Sequence, residues 1–437
     1  MRSIILLLIM LMSIGIDLGA DSVRKKRRGS GQRRSQLLRK KRKSRALVKP
    51  QKLRRKKRKR IGISSVVARE AVPSFSKTIC RFFTDNELAV LQEANTGQQV
   101  VWVKENTDPF GELIVSWNAL RPAQGHIAIW LSVLHHGQWS SWHKLAIWGH
   151  KVQKTFLHKN HPIVHTLHNR ITLQHGNLAR GFKVKITFHK GANPSVLKAL
   201  FACISRLNQH KIIQPDHQLQ TAIIHRKHHT RISQFMLDHE RKKDICAPVS
   251  TAMMVSYFYK KRHGNRPHYS MANYAIDFTK KVHDQGDLNV YGNWHLNTAQ
   301  AFDAMNGDVY FSVQRLNSFY DLHHYLTNQV PVVVSVRRLP GGATPYAGGH
   351  LLMVVGYDSS TRQVICLDPA FSPHNATLHS YPLMPFIRAW GRSSNMSYVP
   401  LLKSMVGQEE AVPVAECIAV NDESVPLEPM AEVFEQG

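Results

Sequence analysis

Two hydrophobic rhythms divide the chain. Between about Pro73 and Leu207, Ile127, Ile129, Leu131 and Val133 alternate with His126, Ala128, Trp130 and Ser132, and Phe182, Val184, Ile186 and Phe188 alternate with Lys183, Lys185, Thr187 and His189. A period of two, broken by turn residues, predicts short half-buried strands and hence an antiparallel β-sandwich over 73–207. Further on the rhythm changes. The run Ala247 to Phe258 is apolar on most faces, which predicts a buried helix, and Pro248 suits a first turn because it has no amide proton to leave unpaired. Two short apolar strands, Gly348 to Tyr357 and Val364 to Asp368, flank the polar stretch Asp358 to Gln363 and predict a hairpin. With its turn near residue 360, His350 and Asp368 fall on one face about one register apart, together with Leu352, Val354, Val364 and Cys366, packed on the helix.

This pattern places reactive groups at element ends. Cys246 stands at the N-cap of the predicted helix or just before it, where unpaired amides and the positive end of the dipole favour a thiolate. His350 opens its strand, and Asp368 closes the next, so the carboxylate can hold the imidazole in the tautomer that accepts the thiol proton. Gln234, on a segment read as extended, supplies amide protons that with the Cys246 N–H suit a developing oxyanion. Singly, a buried cysteine, a strand-end histidine and an Asp-Pro pair are commonly inert. Their order and contexts together carry the chemistry of a thiol nucleophile and its base.

Residues from about 225 to 400 resemble the peptidase-like family related to the bacteriocin leader peptidases, cysteine peptidase family 39, within the papain-like group. The resemblance lies in Ser233-Gln234, in Cys246-x-Pro248-x-Ser250 before an apolar helix, in Gly349-His350 and in Asp368-Pro369-Ala370. Gly292 to Ala299, Pro331 to Ser335 and Phe386-x-x-x-Trp390 match as well. The resemblance implies an α+β papain-like peptidase domain acting on a peptide or protein substrate, with Cys246 as nucleophile, His350 as base, Asp368 as its orienter and Gln234 as the oxyanion residue. Trp294, Asn297 and Gly349 are candidates for the substrate cleft. Ala247 and Val249 depart from the small or hydroxylated residues usual beside the cysteine, which touches the shape of the pocket more than its chemistry. The β-domain also resembles one that precedes the peptidase in some secreted family members.

Charge adds the flanks. The chain has 437 residues, with 59 Lys and Arg against 29 Asp and Glu, a net charge of +30. Of those bases 22 lie between Arg24 and Arg60, where no acid stands, so the rest of the chain carries only about +8. Residues 1–20 read as a signal peptide, with Arg2, an apolar stretch from Ile4 to Ile16 and Leu18-Gly19-Ala20 for cleavage. Export is the first expectation, and no stable transmembrane span is expected. The five bases from Arg24 to Arg28 keep a second reading open, an uncleaved membrane anchor. Residues 21–70 read as a disordered basic arm whose partner would be anionic, whether nucleic acid, lipid or glycan, or as a plain solvated spacer. Residues 208–224 read as a linker, 225–402 as the peptidase domain and 403–437 as an acidic tail with eight acids and no base beyond residue 408.

Of five cysteines, Cys80 and Cys203 stand near opposite ends of the β-domain, where a disulfide would clip its first and last strands. The 26 histidines include His225-x-x-His228-His229 and His135-His136, but neither has the spacing of a zinc site, so no metal or cofactor is expected. Six of eight tryptophans, Trp102, Trp117, Trp130, Trp139, Trp142 and Trp148, fall in the β-domain, either as core and seam or as stacking surfaces for sugars. A binding protein with an inactive peptidase-like fold, tethered by the basic arm to nucleic acid or an anionic surface, remains the rival to the enzyme, and acyl transfer a variant of it.

Overall fold

The computed structural model describes residues 74–93, 98–215, 219–264 and 270–402. The expected signal peptide, basic arm and acidic tail, with Cys417, lie outside the described residues. The alternating segments form two sheets, antiparallel throughout. One runs Ser76–Phe82, Leu197–Ser205, Glu112–Ala119, Ile171–Leu173, Val164–Leu167, Leu157–His158, and the other Gln99–Lys104, Gly181–His189, His126–His135, His143–Gly149, Gln153–Thr155, with Gln138–Trp139 turned back on His126–His135. In the second sheet Ile129 faces Ile186, Leu131 faces Val184 and Val133 faces Phe182, all fully buried, while the period holds only in part, since Ala128 and Ser132 are buried too and Phe188 is half-buried. The strand Glu112–Ala119 departs from that rule, being buried at all eight positions. It is covered on both sides, because the second half of the chain packs on it. Asn118 donates to the Phe311 carbonyl at 2.9 Å and accepts the Phe311 N–H at 2.8 Å, while Ser116 Oγ accepts the Val313 N–H at 2.8 Å.

The second half is an α/β arrangement. Its sheet runs Val309–Arg315, Met396–Leu402, Val332–Val336, His350–Asp358, Gln363–Leu367, Leu378–Pro382, with Ala222–Ile223 paired to His350–Asp358. The helix Cys246–His263 is buried without interruption from Ala247 to Phe258, as its all-round apolar sequence requires. It lies between the strand His350–Asp358 and the helices Met271–Lys281 and Trp294–Ala304, and Ser250 Oγ donates to the Leu351 carbonyl at 3.0 Å. The predicted hairpin forms with Met353 opposite Leu367 and Val354 opposite Cys366. A one-residue bulge then shifts the register, so that Tyr357, not a residue in strict alternation with Val354, faces Val364.

Buried polar groups tie the two halves together. Arg315 Nη2 meets Glu112 Oε2 at 3.0 Å, and Arg170 Nε lies 3.1 Å from the same carboxylate. Asp284, fully buried, accepts from Thr155 N at 3.0 Å, Thr155 Oγ1 at 2.5 Å and Asn293 Nδ2 at 3.0 Å. All the described residues belong to one compact unit beginning at Arg69. The expected disulfide is absent: Cys203 faces Thr78 with its Sγ 3.1 Å from Ser76 Oγ, and no bond joins it to Cys80. Among the described residues no helix is long and apolar enough to cross a membrane, and no group of three metal-ligating side chains occurs.

Candidate active site

Cys246 is the first residue of its helix, with Ile245 at the N-cap. No side chain caps this end. Pro248 contributes no amide, and Val249 N–H already bonds the Ile245 carbonyl at 3.1 Å. The Cys246 and Ala247 amides therefore have no partner within the helix, and the sulfur sits at its positive end. Unlike its helical neighbours, Cys246 is only partly buried, so a reagent can reach it.

His350 opens the neighbouring strand and is 4% exposed. Gly349, just before it, has φ of 106°, a conformation that favours glycine, so its identity is fixed by the backbone turn into the strand. The imidazole Nε2 bonds Asp368 Oδ1 at 2.8 Å, and the ring stands close enough to Cys246 for its charge to act on the thiol. Asp368 is fully buried and paired on both oxygens: Ala370 N–H also donates to Oδ1 at 2.9 Å, and the Tyr346 and Tyr381 hydroxyls donate to Oδ2 at 2.9 and 2.6 Å. Tyr346 does more than donate. Its ring stacks on the His350 imidazole with centroids 4.0 Å apart and planes 15° from parallel. It holds φ of 48° to do so, with its carbonyl accepting the Gly349 N–H at 3.1 Å.

Charges follow from this geometry. Burial alone would raise the Cys246 thiol, but the His350 charge, its hydrogen bond and the Leu351 backbone together outweigh burial and hold the thiol below its ordinary value. For His350 burial works downward, and the charges and hydrogen bonds of Asp368 and Cys246 overcome it, raising the imidazole to about 10. Asp368 is likewise opposed by burial yet held below the usual carboxylate range by His350, Tyr381 and Ala370. Each shift runs toward the charged form: thiolate, imidazolium and carboxylate. Cys366, two residues from Asp368 and fully buried, has its thiol pushed well up by burial and by that carboxylate, as an inert core thiol should.

Gln234 is 2% exposed and lies in the short turn Gln234–Met236, not in an extended segment. Its backbone N–H bonds the Pro369 carbonyl at 2.8 Å, which fastens it to the stretch after Asp368. Of its two side-chain N–H groups one is spent on the Lys242 carbonyl at 2.8 Å, and Oε1 has no partner. Of the two residues expected along a substrate cleft, Trp294 lies beside two arginines and Asn297 is buried. Trp294 is half-buried at the seam, with the Arg170 and Arg315 guanidinium carbons 5.4 and 5.9 Å from its ring centroid. Asn297 is fully buried, its amide donating to the Tyr291 and Asn293 carbonyls at 2.9 and 2.7 Å, and so presents nothing to a ligand. Tyr346 and Tyr381 escaped the sequence reading, since a tyrosine four residues before a histidine, or one in the third strand of a meander, has no local signature. Tyr398 is a third: fully buried, with no hydrogen-bond partner for its hydroxyl, it has its pKa driven up by burial and then by the Cys246 charge.

Comparison with known families now adds to the geometry. Residues 226–398 match the Peptidase_C39 like family, and residues 65–196 match the Peptidase C39 N-terminal domain. Residues 226–398 thus form a C39-like peptidase domain, preceded by the N-terminal domain of the second match. Both reactive strands and the cysteine helix fall inside the first match, and most of the two N-terminal sheets inside the second. No curated protein and no solved structure matches the chain.

Proposed function

We propose that this C39-like protein is an active cysteine peptidase of papain-like architecture, cleaving peptide amides with Cys246, His350 and Asp368. The observation that carries the reading is the His350 imidazole bonded to the buried Asp368 carboxylate at 2.8 Å, with the partly exposed Cys246 at a helix start beside it. The Cys246 thiolate attacks the scissile carbonyl carbon, a C–S bond forms, and the electron pair moves to oxygen. The Cys246 N–H and the uncommitted amide proton of Gln234 receive that oxyanion. As the C–N bond breaks, the His350 imidazolium passes its proton to the leaving amine; the neutral imidazole then activates a water that releases the acyl group. Gly349 borders the approach to His350. In this reading residues 73–207 form the supporting β-domain and 225–402 the peptidase domain. Residues 1–20 direct export, and the arm at 24–60 meets an anionic partner.

The test is a peptidyl chloromethyl ketone followed by intact and peptide mass measurement. A single adduct at Cys246, lost in Cys246→Ala and strongly slowed in His350→Ala, is expected, and peptide-library turnover in Cys246→Ala should fall by about a thousandfold or more. An adduct at Cys80 alone, with Cys246 untouched, is the result expected of an inactive binding protein.

A further inference from the structure

The outer face of the second sheet is laid out in ammonium groups and aromatic rings. From Leu113 to Pro215 the chain has 13 Lys and Arg and 12 His but no Asp or Glu, so this stretch is strongly basic. Cross-strand register builds the array: Lys185 lies opposite Trp130, and Trp130 opposite Lys144. The Lys183 ammonium stands 4.1 Å from the Trp139 ring centroid, Lys185 4.3 Å from Trp142, and Lys144 5.1 and 5.0 Å from Trp130 and Phe156.

Beside this array is a cleft of about 480 Å³ walled by Trp130, Trp142 and Phe156, with His158, Asn160 and His161 at its rim. His143 also lines it, is 7% exposed, and has no partner for Nε2. Burial and the neighbouring His161 and His158 lower its pKa to about 4, so at neutral pH it is an uncharged ring with one donor and one acceptor. That combination suits hydroxyl groups, while the ammonium groups require anions.

We propose that this face binds an acidic polysaccharide, its carboxylates on Lys144, Lys183 and Lys185 and its hydroxyl groups on the imidazole and amide groups of the cleft. Single-stranded nucleic acid fits less well. It holds to proteins by stacking bases on aromatic faces, and here ammonium groups already lie over the indoles. Carboxylates along a sugar chain need only the ammonium groups themselves. The inference stands on residues of the N-terminal sheets and does not depend on peptidase activity.

The experiment is residue-resolved lysine acetylation of the full chain, read by mass spectrometry, with polygalacturonate, neutral dextran or oligothymidylate added. Reading individual lysines separates this face from the basic arm. Polygalacturonate should slow acetylation of Lys144, Lys183 and Lys185 by about fivefold or more, an effect removed by about 1 M salt. In the doubly substituted Lys183→Ser, Lys185→Ser chain, protection of Lys144 should be lost, with the melting temperature kept as a check on folding. Unchanged acetylation of the three lysines overturns the proposal even if the arm is protected. Equal protection by dextran overturns the role given to charge, and stronger protection by oligothymidylate assigns the face to nucleic acid instead.

Discussion

At the scale of single residues, Asp368 sets the site by accepting four hydrogen bonds in a fully buried position. Its order after Cys246 and His350 was legible in sequence, because each stands at the end of an element with its own pattern. Its two tyrosine donors were not, since contacts across a sheet leave no mark along the chain. Tyr346→Phe keeps the ring stacked on His350 but withdraws one donor from a buried charge, which should destabilise the fold by about 2 kcal/mol and raise the alkaline limit of activity. A melting curve and a pH profile check both effects; an unchanged pH profile assigns Tyr346 to packing alone. Asp368→Asn removes the charge that holds the imidazolium, and kcat should fall by about a thousandfold or more. The alkaline limb, near 10 in the parent, should move down toward the ordinary histidine value.

At the scale of elements, the hairpin and the cysteine helix followed their sequence patterns, whereas Glu112–Ala119 did not. Alternation marks a strand with one wet face, and this strand has none, so its sequence says only that it is buried. The bulge after Val354 was equally hidden, because one extra residue in a run of apolar ones does not disturb the pattern. The burial of Asn297 is hidden for the reverse reason: its position beside a family-like motif gives no sign that the helix Trp294–Ala304 packs on the N-terminal sheet. Gly349→Ala puts a side chain on φ of 106° at the approach to His350. It should cost about 1–3 kcal/mol in stability and lower kcat more than binding, measured by calorimetry and steady-state kinetics. Equal stability of parent and variant contradicts the backbone role given to that glycine.

At the scale of the whole molecule, the two family matches describe parts that share buried polar contacts. Arg315→Met strands Glu112, which is 1% exposed, with only Arg170 beside it, and should destabilise by about 3 kcal/mol. The described unit should also melt in one calorimetric transition; two separated transitions contradict a continuous seam. The Cys246–His350 pair gives this stability a pH dependence. His350, raised to about 10, contributes stability that is complete below its ordinary value and is lost as pH rises through 10. Cys246, lowered, contributes stability present above its ordinary value and lost as pH falls through its folded one. The two trends oppose each other below the ordinary thiol value of about 8.5, and above it only the loss from His350 remains, so melting temperature should fall as pH rises from about 8.5 through 10. The most direct test of the thiolate–imidazolium pair is the rate of Cys246 alkylation by iodoacetamide against pH, followed by mass spectrometry. The account predicts rapid alkylation at pH 6.5, far below the titration of an ordinary thiol near about 8.5, and slow alkylation at that pH in His350→Ala. A Cys246 that reacts only as pH passes about 8.5, with or without His350, contradicts it.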